Sequence, residues 1–184
     1  MPQSSTTSDM PPLPPPERLQ ALLHEAARLG RDDVIPALLQ AGAALEAHDA
    51  KGYTPLILAS YHGHESTTIL LLDHGADPDG QDAGRGNTPL MGVAFKGYVG
   101  IAHLLLTAGA DANQRNLAGQ TALMNAVMFG HVTIAETLLA AGADPNVVDV
   151  AGNSPATIAH MQGNATMADL IARAVAAHDR PSAF

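Results

Sequence analysis

One short segment of the sequence contains four aspartates, a residue type that can bind metal ions or transfer protons. The segment reads DHGADPDGQDAGRGNTPL, residues 73–90, and contains Asp73, Asp77, Asp79 and Asp82. Carboxylate oxygens are preferred calcium ligands, and an EF-hand loop needs D-x-[DN]-x-[DN]-G with a glutamate six residues later. Here the glycine comes too early and that glutamate is absent. Because aspartate, glycine and proline also favour tight turns, we interpret the segment as a turn.

Histidines are the second group, and His62 and His64 form an H-x-H pair that could bind zinc with a third ligand. The chain has no cysteine, and no other ligand type recurs nearby at a suitable spacing. The motifs GxGxxG, GxSxG and HExxH and the Walker loop are also absent. We therefore predict a non-enzymatic protein with no catalytic residues, no metal and no cofactor. The alternative is a metal-dependent or catalytic protein with a site near His62 and His64 or near Asp77 and Asp82.

Composition limits the classes of partner. The chain has 184 residues, which suits one domain with a tail, and a net charge of −9. No basic patch is available to release counterions, so we predict that the chain binds no nucleic acid. No apolar run approaches the length of a membrane span, so we predict no membrane insertion. Aromatic residues make up only 3%, which favours a core of thin, closely packed Ala- and Leu-rich helices.

The two ends of the chain differ from its centre. Residues 1–16 are rich in proline, serine and threonine and are predicted to be a disordered tail, with a second short tail at 180–184. Pro12, Pro15 and Arg18 have the spacing of a polyproline ligand, although such a run is more often a spacer. The first residues contain neither a basic nor an apolar region of the signal-peptide kind, so we expect a cytoplasmic location.

Glycines repeat at a fixed period through the rest of the chain. One series is separated by 33, 34, 33 and 33 residues and consists of Gly30, Gly63, Gly97, Gly130 and Gly163. Two further series keep the same intervals, one through Gly42, Gly75, Gly109 and Gly142 and the other through Gly52, Gly86, Gly119 and Gly152. A fixed period of this size predicts a stacked repeat array.

Each period contains the signals of two short helices. Thr54 followed by Pro55 is a helix start, because the hydroxyl can cap free N–H groups and proline suits the first helical position. The first helix is predicted to run to Gly63, and a second, leucine-rich helix to Gly75. Such short helices are unstable alone in water, so they must be stabilised by packing against neighbouring units.

The repeated unit resembles the ankyrin repeat, with its TPL start, central GH, paired leucines and GADxN ending. The unit reads GYTPLILASYHGHESTTILLLDHGADPD, then GNTPLMGVAFKGYVGIAHLLLTAGADAN, then GQTALMNAVMFGHVTIAETLLAAGADPN, with a degenerate unit on each side. The resemblance implies an all-α solenoid of about five stacked helix–turn–helix units with β-turn fingers. The predicted units are 17–48, 49–81, 82–115, 116–148 and 149–179, together forming an ankyrin repeat domain at 17–179. The alanine-rich, cysteine-free composition is similar to that of small, stand-alone bacterial members.

Two departures from the family pattern have structural consequences. The histidine that often follows TPL is replaced by Ile57, Met91, Met124 and Thr157, so apolar packing must substitute for its tie between neighbouring turns. The end units are expected to be polar, as capping requires. In the last unit these polar residues are Gln162, Asn164, Thr166, Asp169 and Arg173.

The resemblance also implies a protein partner, bound on the concave surface formed by the fingers and the first helix of each unit. We call this surface the finger face. Its predicted residues are Lys51, Tyr53, Tyr61, His62, Arg85, Asn87, Phe95, Lys96, Leu117, Gln120, Met128, Phe129, Val150, Asn153, Met161 and Gln162. The alternative for Phe95 and Phe129 is that they pack between adjacent first helices. The expected role is that of a monomeric inhibitor, adaptor or immunity-type neutraliser, or of a stress-response accessory to a neighbouring enzyme.

Overall fold

The structure, a computed structural model, describes residues 14–179. The predicted tail up to residue 13, with Pro12 of the polyproline spacing, and the predicted tail at 180–184 lie outside the described residues. The described part contains ten helices and no strand. The helices are α1 Pro16–Leu29, α2 Ile35–Gln40, α3 Pro55–Tyr61, α4 Glu65–Asp73, α5 Pro89–Lys96, α6 Val99–Thr107, α7 Ala122–Met128, α8 Val132–Ala140, α9 Pro155–Met161 and α10 Ala165–His178.

The first helices of the units begin at the residues that the sequence indicates. Thr54, Thr88 and Thr121 each accept, through the side-chain oxygen, the backbone N–H three residues later. Ser154 does the same and forms a reciprocal capping box with Thr157. These bonds satisfy N–H groups that have no partner inside the helix, so the local sequence indicates where α3, α5, α7 and α9 start.

The helices stack in two rows. Helices α1, α3, α5, α7 and α9 pack successively against one another in the first row, and α4, α6, α8 and α10 do so in the second. Within a unit the two helices pack against each other, as α3 does against α4. The closely packed pairs of the described residues therefore join helices of the same unit or of adjacent units. This arrangement confirms the predicted all-α solenoid.

The core runs through the stack between the two rows. Leu71, Leu105 and Leu138 on the second helices are completely buried. Met91 and Met124, at the position that often holds histidine in the family, are also buried, as apolar substitution for the missing tie requires. At the same position in the last unit Thr157 is exposed and serves in the capping box instead.

The two ends of the stack differ. In the last unit Thr166, Asp169 and Arg173 are exposed, as expected of a polar cap. The first unit differs from that expectation, because α1 and α2 leave an open groove of about 320 Å³. Its apolar lining consists of Leu22, Ala26, Leu29, Val34 and Leu38, with Glu25 and Arg31 beside them.

Candidate functional site

The fingers are the segments 49–53, 82–87, 116–120 and 149–153, and a side chain at the start of each one holds it closed. Asp82, which is buried, accepts the backbone N–H groups of Gly84 and Arg85 on Oδ1 at 2.8 and 2.6 Å. Its Oδ2 accepts that of Asn87 at 2.9 Å. In the third finger Asn116 Oδ1 accepts two backbone N–H groups in the same way. The first residue of each finger is therefore structural.

The other aspartates of the segment 73–90 also have a structural environment. Asp77 Oδ1 accepts the N–H of Asp79 at 2.9 Å. The carboxylate of Asp79 accepts the N–H of Asp111, in the next unit, at 3.0 and 3.1 Å. Asp73 is exposed at the end of α4. Because backbone N–H groups occupy one oxygen of Asp77 and both oxygens of Asp79 and Asp82, the geometry supports the turn interpretation over a calcium loop.

Burial and backbone hydrogen bonds act in opposite directions on the pKa of Asp82. Burial alone would raise the pKa of its carboxyl group, because the charged form loses solvation. The N–H groups of Arg85, Asn87 and Gly84 favour the charged form and reverse the direction, so the pKa lies below its usual range. The pKa of Asp79 is raised, chiefly by burial, even though the Asp111 N–H lowers it. The pKa values of Asp79 and Asp82, which lie in adjacent turns of one segment, are therefore shifted in opposite directions.

Neighbouring fingers are joined through the backbone. The N–H of Ala83 donates to the carbonyl of Gly52 at 2.8 Å, and the N–H of Leu117 donates to that of Arg85 at 2.9 Å. Val150 repeats this bond to the third finger. The second finger is one residue longer than the others, and the extra residue lies near Arg85, which is exposed. The fingers therefore form a continuous edge along which exposed side chains keep fixed spacings.

The H-x-H pair is partly used by the fold. His64 Nε2 donates to the carbonyl of Arg28 in the preceding unit at 2.9 Å. His131, at the same position two units later, donates in the same way to the carbonyl of Phe95 at 3.1 Å. The ring of His62 lies 6.4 Å from that of His64. The pKa of His62 is lowered by burial, and to a lesser extent by the nearby charges of His64, Arg28 and Lys96.

Residues 14–179 contain no group of three or more histidine, cysteine, aspartate or glutamate side chains placed to hold a metal ion. A zinc site would need such a third ligand near His62 and His64. The zinc interpretation therefore lacks its third ligand in the described part of the chain.

An aromatic row lies along the first helices. The rings of Tyr61 and Phe95 stack with centroids 6.1 Å apart, and Phe95 meets Phe129 edge-on at 4.4 Å. All three side chains belong to exposed residues, at 37%, 39% and 46% of full exposure. The two interpretations of Phe95 and Phe129 thus both describe part of their environment, since the rings contact each other between neighbouring helices and also face outward. Lys96 Nζ lies 5.1 Å from the ring centroid of Tyr61 and 5.8 Å from that of Tyr98.

The other predicted residues of the finger face divide into exposed and supporting ones. Leu117, Val150 and Met161 are the most exposed apolar residues of the set, at 76%, 78% and 69%. The remaining exposed residues of the set are Lys51, Tyr53, His62, Arg85, Lys96 and Gln162. The half-buried residues of the set are Asn87, Gln120, Met128 and Asn153.

Those half-buried residues have internal partners. Asn87 Oδ1 accepts from Asn116 Nδ2 at 2.8 Å, and Asn153 Nδ2 donates to Asp149 Oδ2 at 3.1 Å. Met128 packs against the core. These side chains support the surface more than they present groups to a partner.

The structure also contains supporting contacts that sequence reasoning missed. Arg28 pairs with Asp49 at 2.9 Å and so fixes the first finger to α1. Asn125 Nδ2 donates to the carbonyl of Met91 at 3.3 Å and links α7 to α5. The period of the sequence indicates which positions lie in adjacent units, but these pairs depend on side-chain directions that the period does not specify.

Within residues 14–179, every helix is too short or too polar to cross a membrane. The described chain is thus a stack of helix pairs whose turns are joined into a row of fingers, the architecture of a helical repeat protein.

Comparison with known proteins assigns the repeat. A family model described as "Ankyrin repeats (3 copies)" matches residues 23–116, 70–149 and 90–179, so the matches cover most of the chain. The chain belongs to the ankyrin repeat family, whose members are generally protein–protein interaction modules and typically not enzymes.

Two proteins similar to this chain match shorter stretches. An ankyrin and IPT/TIG repeat-containing protein of Schizosaccharomyces pombe is 40% identical over 60 residues, which is 33% of this chain and 5% of that protein. A tyrosine-protein kinase of Hydra vulgaris, HTK16, is 39% identical over 54 residues, which is 29% of this chain and 7% of the kinase. The chain spans only a small part of either relative, so the likeness concerns the repeats alone.

Proposed function

We propose that the chain binds a protein partner through the finger face and has no catalytic activity of its own. In this role it acts as a monomeric inhibitor, adaptor or neutraliser. A stress-response accessory to an enzyme would differ in its partner and not in its mechanism of binding.

The observation that supports the proposal is the aromatic row formed by Tyr61, Phe95 and Phe129. Phe95 contacts the rings of both Tyr61 and Phe129, so the row is already partly ordered, and aromatic side chains are enriched at the centres of interfaces. Their exposure leaves apolar area that is available for burial. The exposed Leu117 and Val150 extend this apolar area along the fingers.

The test uses the partner captured by the full chain from its source cells and identified by mass spectrometry. The double variant Tyr61→Ala/Phe95→Ala should weaken its binding by about 2 kcal/mol or more, which is about thirtyfold, as expected of an interface centre. Calorimetry measures the affinity, and circular dichroism checks that the variant is folded. Because both rings are partly packed, Leu117→Ser serves as a second variant at a position that the fold does not need.

The control is Ile69→Ala on α4, since Ile69 is 42% exposed and lies in the second row of helices. It should leave the affinity unchanged. The proposal is wrong if the partner binds the double variant and Leu117→Ser as tightly as the parent chain, or if only Ile69→Ala weakens binding.

A further inference from the structure

The charges of the finger face are opposite in sign to those of the rest of the protein. The chain has 18 acidic residues and a net charge of −9, yet no aspartate or glutamate is among the predicted residues of the finger face. The aspartates that begin three of the fingers, Asp49, Asp82 and Asp149, hold finger N–H groups with their carboxylates. Both lysines of the chain, Lys51 and Lys96, are on this surface together with Arg85. All three are exposed.

These three cations have no carboxylate partner among the described residues. The salt bridges there join Arg28 to Asp49, Arg31 to Asp33 and His178 to Asp144. The carboxylates nearest in sequence to the cations are those of Asp49 and Asp82. The first is used by Arg28 and by finger N–H groups, and the second is buried against finger N–H groups. The cations of the finger face are therefore available to a partner.

The cations occupy only one half of the surface. Lys51, Arg85 and Lys96 belong to the second and third units, counting the degenerate first one, and Lys96 stands over the ring of Tyr61. We call Lys51, Arg85, Lys96 and Tyr61 the cationic half. The fourth and fifth units contribute the exposed side chains of Leu117, Phe129, Val150 and Met161, which we call the apolar half. The finger face thus changes from cationic to apolar along the stack.

Resting on the function proposed above, we infer that the finger face binds a partner segment with carboxylates at one end and bulky apolar side chains at the other. The carboxylates face the cationic half, and the apolar side chains cover the apolar half. Adjacent helices are about 8–10 Å apart, so four units span roughly 25–30 Å, which is about eight or nine extended residues.

Charge complementarity sets the direction of the segment. A segment docked in reverse would place its carboxylates over apolar side chains, where they would lose water without gaining a counter-charge. It would also leave the three cations unpaired. The net negative charge of the rest of the chain repels acidic partners that do not engage this surface, which adds selectivity.

The inference can be tested with a phage-displayed library of random peptides, panned at low salt against the immobilised full chain. We expect the selected peptides to be enriched in aspartate and glutamate on one side of an apolar cluster, in a single order. A synthetic peptide with the selected sequence should bind, and its sequence-reversed form should bind at least roughly tenfold more weakly, because reversal separates the charges from their partners.

Variants of the chain separate the two halves. The double variant Lys51→Glu/Lys96→Glu should weaken the selected peptide by roughly tenfold or more, because each attraction becomes a repulsion, and the effect should shrink as salt is added. Leu117→Ser/Val150→Ser should also weaken binding of the selected peptide, and the size of this effect should hardly depend on salt. The control is Arg18→Glu, since Arg18 is an exposed cation of α1 outside the finger face, and it should have little effect.

The outcomes distinguish this inference from the proposed function. The inference is wrong if the selected peptides lack acidic residues, or if Lys51→Glu/Lys96→Glu has no more effect than Arg18→Glu. If peptides that lack acidic residues are selected and Tyr61→Ala/Phe95→Ala still weakens their binding, the finger face is a binding surface of different chemistry and the proposed function stands. If no selected peptide depends on the finger face, the inference fails, and the partner experiment above decides the proposed function separately.

Discussion

Replacing Asp82 by asparagine tests whether the finger carboxylate is structural. Asp82 accepts two backbone N–H groups on one oxygen and a third, from Asn87, on the other. Asparagine has the same shape but only one acceptor oxygen. In either orientation of the amide, at least one backbone N–H then faces an NH₂ group. Asp82→Asn therefore leaves a donor without an acceptor at a buried position.

The expected magnitude follows from that count of donors. A buried N–H group that loses its acceptor costs about 1–3 kcal/mol, and the lost charge weakens the remaining bonds further. Asp82→Asn should therefore lower the free energy of unfolding by about 2–3 kcal/mol.

The matched control is Asp149→Asn in the last finger. There a single oxygen, Oδ1, accepts both backbone N–H groups, those of Ala151 and Asn153. An asparagine can keep both backbone bonds, as Asn116 does naturally in the third finger, and loses only the bond that Oδ2 accepts from the Asn153 side chain. This control should lose at most about 1 kcal/mol, the net value of an ordinary hydrogen bond.

The cost of Asp82→Asn should also depend on pH. Burial alone would raise the pKa of Asp82, but the finger N–H groups lower it below the value of about 3.9 expected in the unfolded chain. A group with a lowered folded pKa contributes stability that is complete above the unfolded pKa and is lost as the pH falls through the folded pKa. The difference between the parent chain and Asp82→Asn should therefore be complete at neutral pH and shrink below about pH 4.

Urea unfolding followed by circular dichroism, at neutral and acidic pH, measures these differences. The slopes of the transitions are compared first, because a changed slope would indicate that the units unfold separately. Equal losses for Asp82→Asn and Asp149→Asn would refute the argument from acceptor count. A cost of Asp82→Asn that does not shrink in acid would refute the role assigned to the charge.

Two further pairs of variants test the core and the turns. Leu105→Ala, at a completely buried position, should cost about 2–5 kcal/mol in urea unfolding, whereas Leu117→Ala at a largely exposed position should stay within about 0.5 kcal/mol; similar midpoints for the two would contradict the burial described. Gly97→Ala should lower the thermal midpoint more than Gly142→Ala. Both glycines have positive φ, but only at Gly97 would the added Cβ lie 2.8 Å from the ring of His131, and equal midpoints would show that the ring moves away freely.

The sequence was most informative where structure depends on neighbours in the chain. Thr54 caps α3 and Gly63 follows the helix with a positive φ, because hydroxyl capping and left-handed backbone are properties of single residues. The same signals recur at the glycine period in the following units. The stacked helical fold could therefore be predicted without a structure.

The exposure of the surface residues was less predictable. Asn87 and Arg85 belong to the same finger, yet Asn87 is half-buried with a partner in the next unit and Arg85 is exposed. The sequence places both residues in one finger, but it does not show the direction of either side chain. The groove beside Leu29 also escaped prediction, because sequence does not show which face of α1 lacks a covering helix.

The restriction of close packing to adjacent layers has a consequence for how such a chain can change in length. Duplication of one interior period would insert a new layer whose two faces already match those on either side. Each such event would widen the surface by about 8–10 Å and leave the existing layers in place. Evolution can thus add reach in discrete steps and then diversify the few outward side chains of the new layer, without rebuilding the interior.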